Sequence, residues 1–188
     1  MTTKPAELTF TVAVYDGSAA RDQLDAVRTM YAEVYAEPPY FEGPDDVDWF
    51  AKDWPRRVSQ PGFRLVLARS AAGPAGFAFG HQLKEGTAWW NGALEPLPTE
   101  VTEEHPGRTF AVIELAVRKP YRQQGLARAL HFALLRDRQE ERATLLVRPE
   151  AQPARQMYTS LGYEPVGRIK PYENAPVYQA MIKTLVSV

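Results

Sequence analysis

The sequence contains no cysteine and only three histidines among its 188 residues. Without cysteine the chain can form no disulfide, no thiolate nucleophile, no cysteine-ligated zinc site and no iron–sulfur cluster. An acyl-cysteine intermediate is excluded for the same reason. Because His81, His105 and His131 are far apart in the sequence and have no partner at ligand spacing, we expect no metal site.

Strong net charge and long apolar runs are also missing. The formal net charge is −1, which creates no field that would attract a polyanion, so we expect no bulk nucleic-acid binding. No uninterrupted apolar run approaches the length of a membrane span, and the first residues lack a basic segment followed by an apolar one. These absences predict a soluble, cytoplasmic protein with no membrane partner.

The charge is distributed unevenly along the chain. Residues 1–108 contain 10 Lys+Arg and 16 Asp+Glu, whereas residues 109–188 contain 12 and 7. Nine of the twelve C-terminal cations are arginine, whose planar guanidinium group suits phosphate. An anionic ligand on the C-terminal half and a cationic ligand on the N-terminal half fit this split. Solvated faces that pair across the fold fit it equally well.

The length favours one domain over residues 1–188. Hydrophobic periodicity predicts strands over residues 8–15, 63–70, 75–81, 110–117, 144–147, 164–169 and 176–185. It predicts helices from residue 18 or 19 to about 35, from 45 or 46 to an end or a kink at Pro55, over about 125–141, and over 153–161. Pro61-Gly62 is expected to close the second helical segment in any case. Residues 83–108 have no sustained period and predict a long loop.

Residues 113–127 join an apolar strand to a turn that contains glycine. Strict alternation places Ile113, Leu115 and Val117 on one face of the strand and Glu114 and Ala116 on the other.

The turn that follows presents several backbone N–H groups together, because Arg122, Gln123, Gln124 and Gly125 precede the first turn of a helix. A helix N-terminus carries partial positive charge, and glycine allows close approach of an anion, so the turn is a plausible pyrophosphate site. By itself the pattern is equally compatible with a purely structural turn.

A second motif favours the pyrophosphate site over a purely structural turn. The run Ile-Glu-Leu-Ala-Val-Arg-Lys-Pro-Tyr-Arg-Gln-Gln-Gly-Leu-Ala-Arg is followed, after some thirty residues, by Ala-Arg-Gln-Met-Tyr-Thr-Ser-Leu-Gly-Tyr. Together they resemble the GNAT superfamily of acyl-CoA dependent N-acyltransferases, closely over about residues 110–170. The resemblance implies one α/β (α+β) domain with a mixed, mostly antiparallel twisted central sheet flanked by about four helices. Residues 1–108 would form its acceptor-side half and residues 109–188 its acyl-CoA-binding half.

The resemblance also implies an acyl-CoA site. In the family the glycine turn binds the CoA pyrophosphate, and the strand before it pairs through its backbone with the pantetheine arm. The positions that match or adjoin these two stretches are Leu115, Ala116, Val117, Arg122, Gln123, Gln124, Gly125, Leu126, Ala127 and Arg128.

One position departs from the family pattern. Family members often carry an asparagine seven residues before the motif tyrosine, where it contacts the pantetheine region, but this chain has Ala151 there. The neighbouring Gln152 could replace that contact.

Acyl transfer from a thioester to an amine needs a neutral amine, stabilisation of the oxyanion, and a proton for the thiolate. A primary amine with a pKa near 10.4 is mostly protonated at neutral pH, and Glu114 could accept its proton through a water. A phenol with a pKa near 10 arrives protonated, so Tyr158 could donate to the thiolate, as the matching tyrosine does in the family. The N–H of Val117 would meet the oxyanion. The alternatives are an ion-paired Glu114 and a Tyr158 that belongs to the core.

Acceptor recognition is expected in the N-terminal half, where aromatic and acidic side chains cluster. Such groups together suit a cation, and a polyamine, an amino sugar or a peptide amine would each fit. The candidates are Tyr40, Phe41, Glu42, Asp45, Asp46, Asp48, Trp49, Trp89 and Trp90. Core aromatics and acids that cap helices explain the same residues.

The leading hypothesis is an N-acetyltransferase that moves an acetyl group from acetyl-CoA to a primary amine of a small molecule, by direct attack in a ternary complex. A catalytically silent acyl-CoA sensor, an enzyme for a longer acyl chain, and an acyltransferase for peptide or protein amines are the alternatives. A homodimer is left open.

Overall fold

The computed structural model describes residues 9–185. Its strands are β1 (Thr11–Asp16), β2 (Arg64–Ser70), β3 (Gly73–Gln82), β4 (Thr109–Val117), β5 (Arg142–Val147), β6 (Glu164–Ile169) and β7 (Tyr178–Thr184). Its helices are α1 (Gly17–Ala20), α2 (Leu24–Tyr35), α3 (Pro44–Val58), α4 (Thr99–Thr102), α5 (Leu126–Leu135) and α6 (Gln152–Ser160). Every predicted strand is present, although Leu8, where the first was expected to begin, lies outside the described residues.

The strands form one sheet in the order β1-β2-β3-β4-β5-β7-β6. Neighbouring strands are antiparallel except β4 and β5, which are parallel and are joined through α5. The predicted mixed, mostly antiparallel sheet is therefore confirmed.

Helices cover both faces of the sheet. On one face α5 buries Leu126, Leu130 and Leu134, which recur at helical spacing. On the other face α2 and α3 bury a second cluster that includes Phe50 and Trp54. Each of these side chains contributes about 1.5–3 kcal/mol on leaving water, so the two clusters hold the sheet between the helices.

The parallel pair separates part-way along its length. Pairing between β4 and β5 runs only from Thr109 opposite Arg142 to Val112 opposite Leu145, although both strands continue beyond it. On its other side β4 has a bulge: Phe79 pairs with Glu114 and Gly80 with Val112, which leaves Ile113 without a partner. Bulges bend a strand and increase its twist, so β4 turns away from β5 and the sheet opens there.

The bulge also overturns part of the predicted alternation. Leu115 and Val117 pack with the cluster under α5, but Ile113 packs with the cluster under α2 and α3, on the face to which Glu114 also points. The extra residue shifts the register by one, so the period of two does not hold across it.

Three helix boundaries also differ from the prediction. The first helix is divided into α1, a 3-10 turn at Arg21–Gln23, and α2. The second passes through Pro55 and ends at Val58, because Trp54 and Val58 on either side of the proline are buried against the sheet. The third ends at Leu135, because the residues after it make contacts elsewhere. Arg138 donates to the Gly62 carbonyl, and Glu140 accepts from the Gln82 side chain.

Candidate active site

A cavity of about 250 Å³ lies where β4 and β5 separate. Residues 112–115 of β4 form one wall, and residues 145–148 at the end of β5 form the other. Glu114 enters from β4 and Tyr158 from α6, so the two predicted catalytic side chains line the same cavity.

Glu114 is partly buried and accepts a hydrogen bond from the hydroxyl of Tyr35 on α2. Burial raises the pKa of its carboxyl group from 4.5 to about 7, against the opposing effects of the Arg57 charge and the Tyr35 hydrogen bond. A carboxyl group with this pKa exchanges a proton readily at neutral pH, which a general base requires.

Tyr158 is buried, with 7% of its surface exposed. Its ring packs against Tyr163, with ring centroids 5.6 Å apart, and against His131 at 6.3 Å. Burial raises the pKa of its hydroxyl above 10, and the nearby Tyr40 and Glu114 raise it further. Since no described residue hydrogen-bonds this hydroxyl, its proton is available to a group in the cavity.

The glycine turn offers a row of backbone donors. Gly125 is the N-cap of α5 with φ +79°, and Gln123 also has a positive φ of +60°. The first bond of the helix runs from the N–H of Ala129 to the carbonyl of Gly125, at 3.0 Å. Within residues 9–185 nothing accepts from the N–H groups of residues 123–128. Six consecutive free donors at the positive end of a helix are suited to an anion.

The side chains of the turn hold it in place. Arg122 donates from Nε to the Val117 carbonyl, at 2.9 Å, and from a terminal nitrogen to Glu37 in the turn after α2, at 2.6 Å. Gln124 donates to the Pro120 carbonyl at 3.0 Å. The turn therefore presents its backbone, rather than the Arg122 guanidinium group, to an anion.

Arg128 contacts the neighbouring helix α6. Its guanidinium group bonds the hydroxyl of Ser160 on α6, at 2.6 Å, and thus connects the two helices that flank the opening.

The expected pantetheine edge is open on one side. Leu115, Ala116 and Val117 pair with β3, but no described strand pairs with them on the side of β5. An exposed strand edge of this kind can pair with an extended chain that carries amide groups. Leu115 also lines the cavity, which connects this edge with Glu114 and Tyr158.

The structure divides the predicted acceptor residues into two groups. Tyr40, Glu42 and Trp89 line the cavity. Phe41 and Trp49 are 71% and 58% exposed, and Asp45, Asp46, Asp48 and the buried Trp90 also lie outside the cavity lining. Three of them make contacts within the fold: Asp46 accepts from the N–H of Gly43 at the start of α3, Asp48 pairs with Arg28, and Trp90 donates to Glu104.

The uneven charge is partly explained by pairing between the two halves of the chain. Acids of the N-terminal half pair with arginines of the C-terminal half in Glu33–Arg118, Glu37–Arg122 and Glu104–Arg142, at 2.6 to 2.9 Å. These contacts attach α2 and the long loop to the C-terminal half.

Several residues of the cavity were not predicted from the sequence. Tyr35 on α2 lines the cavity and donates to Glu114. Tyr31, one turn earlier, belongs to the core, as its helical spacing indicates, and donates to the cavity residue Glu42. Arg57 on α3 and Arg148 after β5 also line the cavity, together with Tyr172 and Tyr178. Only the tertiary structure brings these side chains to Glu114.

The position that departs from the family pattern contributes no polar group here. Ala151 is buried at the start of α6, and Gln152 lies on an open groove of α6 rather than in the cavity.

His131 belongs to the core, where its Nε2 lies 3.0 Å from the Tyr163 hydroxyl and burial lowers its pKa to about 4. In the part of the chain that the structure describes, no three His, Asp or Glu side chains are grouped to hold a metal ion. None of its helices is both long and apolar enough to cross a bilayer.

Many solved structures share this fold. A protein named PH1933 from Pyrococcus horikoshii OT3 has a TM-score of 0.66 at 16% identity, with 95% of this chain and 100% of that one covered. The PaiA N-acetyltransferase from Thermoplasma acidophilum, in complex with coenzyme A, gives 0.58 at 8% identity over 94% and 99%. A chimera of the spermidine N-acetyltransferase SpeG from Vibrio cholerae and hSSAT gives 0.59 at 13% identity over 93% and 95%.

These identities are too low to show more than the fold. No curated protein sequence is significantly similar to the chain. The family described as Acetyltransferase (GNAT) family, however, matches residues 24–163, which include the separated strands, the glycine turn and Tyr158. The chain therefore belongs to the GNAT family of acetyltransferases.

Proposed function

We propose that the protein transfers an acetyl group from acetyl-CoA to a primary amine of a small molecule, by direct attack in a ternary complex. The observation that carries the proposal is the convergence of Glu114 and Tyr158 on one cavity beside the open edge of β4. Family membership makes the protein an acyltransferase. The acyl donor, the acceptor class and the roles of the side chains are the proposed part.

The donor would be held by main-chain groups. The free N–H groups of residues 123–128 suit the pyrophosphate, and the open edge at Leu115, Ala116 and Val117 suits the amide-bearing pantetheine arm. The PaiA relative is a complex with coenzyme A, which supports the same ligand here.

The two side chains would move the protons. The ionised Glu114 carboxylate takes one proton from the ammonium group and releases it to solvent, so that the neutral amine can attack the thioester carbon. An N–H of β4, most directly that of Val117, stabilises the oxyanion. As the carbon–sulfur bond breaks, Tyr158 gives its proton to the sulfur, and the attacking nitrogen gives its second proton to Glu114. That second proton restores the tyrosine through solvent, so the net change is one amide, one free thiol and one proton released.

The size of the cavity supports a small acceptor. At about 250 Å³ it lies just below the usual range of ligand pockets, about 300–1,000 Å³. Trp89, Pro171 and Tyr172 form part of its lining. The SpeG relative acts on spermidine, which is also a small amine.

A thiol-release assay with acetyl-CoA against a panel of amines tests the proposal. We expect release of CoA with a subset of small amines and little release with a mixture of peptides. Binding of acetyl-CoA without release for any amine would favour the sensor. Faster release with butyryl-CoA than with acetyl-CoA would favour the longer acyl chain.

The phosphate turn can be tested with Gly125→Val. A Cβ at Gly125 meets no heavy atom within 4 Å, so the side chain would project into open space, and the positive φ adds strain of about 1–2 kcal/mol. The valine side chain would hinder the approach of the pyrophosphate to the N–H groups of the turn. Losing one such charge-assisted contact would weaken CoA binding about 10- to 100-fold, as measured by calorimetry.

Gly107→Val is the matched control for this variant. Gly107 has φ +80° and equally open surroundings, but it lies in the turn before β4, at the other end of the strand. It should lose similar stability and bind CoA normally. Equal CoA affinity in both variants would contradict the pyrophosphate assignment.

Replacing Glu114 with Gln should stabilise the fold at alkaline pH. The pKa of Glu114 is about 7 in the folded protein and 4.5 ordinarily, so between pH 4.5 and 7 the folded state binds a proton that the unfolded state has lost. The free energy of unfolding therefore falls as pH rises through this range. Above pH 7 the variant avoids a buried charge, which is worth roughly 1–3 kcal/mol. Thermal unfolding at pH 5 and pH 8.5 should show a gain only at the higher pH. An equal change at both values would contradict the raised pKa.

A further inference from the structure

Four charged side chains line the cavity: Glu42, Arg57, Glu114 and Arg148. Glu42 is bonded by Tyr31 and Glu114 by Tyr35. Arg57 lies 2.8 Å from Asp53 and is stacked near aromatic rings at 5.3 to 5.7 Å.

The fourth, Arg148, has no carboxylate partner among residues 9–185. It follows the last residue of β5, at the point where the sheet opens, and it is partly buried. One terminal nitrogen of Arg148 donates to the Pro39 carbonyl at 3.0 Å, and its guanidinium carbon lies 5.3 Å from the centre of the Tyr40 ring. Its Nε is buried and has no hydrogen-bond partner among the described residues.

These contacts orient the guanidinium group without an ion pair, and its charge acts only at longer range on Glu42, whose pKa it lowers against the effect of burial. A partly buried cation with an unused donor is costly unless an anion joins it, and a guanidinium group can bind a carboxylate through two parallel hydrogen bonds. The position is already restrained by Pro39 and Tyr40, so little side-chain entropy would be lost on binding.

We propose that Arg148 binds a carboxylate of the acceptor, so that the acceptor is a small molecule that carries both a primary amine and a carboxylate. This inference rests on the proposed function and narrows it. Glu114 and Arg148 lie on opposite walls of the opening, on β4 and after β5, so one short molecule can place its amine at Glu114 and its carboxylate at Arg148.

A second ammonium group placed at Arg148 would be repelled, because like charges in a partly buried site repel. A carboxylate placed there would instead form an ion pair with the guanidinium group.

Matched pairs of probes test the subsite: free amino acids and their C-terminal amides, in which a neutral amide replaces the carboxylate. For each pair the ratio of kcat/KM for acid and amide is measured by thiol release, and the binding of each probe is measured by the shift in Tm. We expect the wild-type protein to favour one or more free acids, and Arg148→Gln to lower that acid-to-amide ratio about 10- to 100-fold through KM. Comparing ratios between variants cancels the different amine pKa values of acids and amides.

Arg69→Gln is the matched control. Arg69 lies on β2, outside the cavity lining, and is also partly buried. Among the described residues its side chain has no ion pair and hydrogen-bonds only Gln23. It should leave the ratio unchanged. Arg148→Lys should keep the preference for acids at reduced strength, which separates loss of charge from loss of folding.

The proposed function and the subsite fail in different ways. Thiol release from amines with an acid-to-amide ratio that Arg148→Gln does not change would overturn the subsite and leave the acetyltransferase proposal standing. Absence of release with every amine would overturn the proposed function. In that case the Tm shifts still decide the subsite: a preference for acids that disappears in Arg148→Gln supports it, and equal shifts for acids and amides contradict it.

Discussion

Replacing Tyr158 with Phe should lower kcat about 10²- to 10⁴-fold and leave the affinity for acetyl-CoA unchanged. The phenyl ring can keep the contacts of Tyr158 with Tyr163 and His131, so only the hydroxyl is lost. Because the hydroxyl has no hydrogen-bond partner among the described residues, its removal should leave stability nearly unchanged. Turnover is measured by thiol release, and acetyl-CoA affinity by calorimetry.

Tyr163→Phe provides the contrast. Its hydroxyl lies 3.0 Å from Nε2 of the buried His131, so the variant loses a structural hydrogen bond and leaves that histidine unsatisfied. It should lower Tm and keep most of the turnover. If Tyr158→Phe retains the wild-type kcat, Tyr158 is not the acid.

The second large effect concerns Glu114 and pH. As the carboxyl group ionises near pH 7, kcat/KM should rise with pH, because only the carboxylate accepts a proton. Loss of the Tyr158 proton should cause no decline below pH 10, since burial raises the pKa of that hydroxyl above its ordinary value. Glu114→Gln should lower kcat/KM about 10²- to 10⁴-fold and remove the rise near pH 7.

Tyr35→Phe tests whether the carboxyl group of Glu114 causes that rise. The Tyr35 hydrogen bond favours the carboxylate, so its removal should raise the pKa of Glu114 and move the rise to higher pH. The pH profiles are measured with two amines of different pKa, which separates the ionisation of the enzyme from that of the substrate. A rise that follows the amine and ignores Tyr35→Phe would argue against Glu114 as the base.

The elements were predictable because their signals are local. The strand before the turn alternates, α5 repeats every three to four residues, and Gly125 precedes that helix at the position where a positive φ is needed. Two motifs in the right order then indicated the family, and they include the turn and Tyr158. Each of these signals spans fewer than twenty residues, so no long-range contact is needed to see it.

The predictions failed where distant parts of the chain compete with a local pattern. Pro55 does not end α3, because burial of Trp54 and Val58 outweighs the loss of one helical hydrogen bond. The alternation of β4 fails at Ile113, because pairing with β3 requires a bulge that the residues of β4 alone do not reveal. Among the aromatic acceptor candidates, only contacts across the fold separate Tyr40 from the exposed Trp49.

The sequence by itself determined the order of strands and helices, the family, the glycine turn and the two side chains expected to move protons. Periodicity, turn residues and motif spacing are properties of short segments, and they hold wherever the rest of the chain lies. The tertiary structure decided that β4 and β5 separate after Val112, that Tyr35 bonds Glu114, and that Arg148 lines the cavity without a carboxylate partner. These features depend on which residues meet across the sheet and on how deeply each charge is buried, and both are set only when the chain has folded.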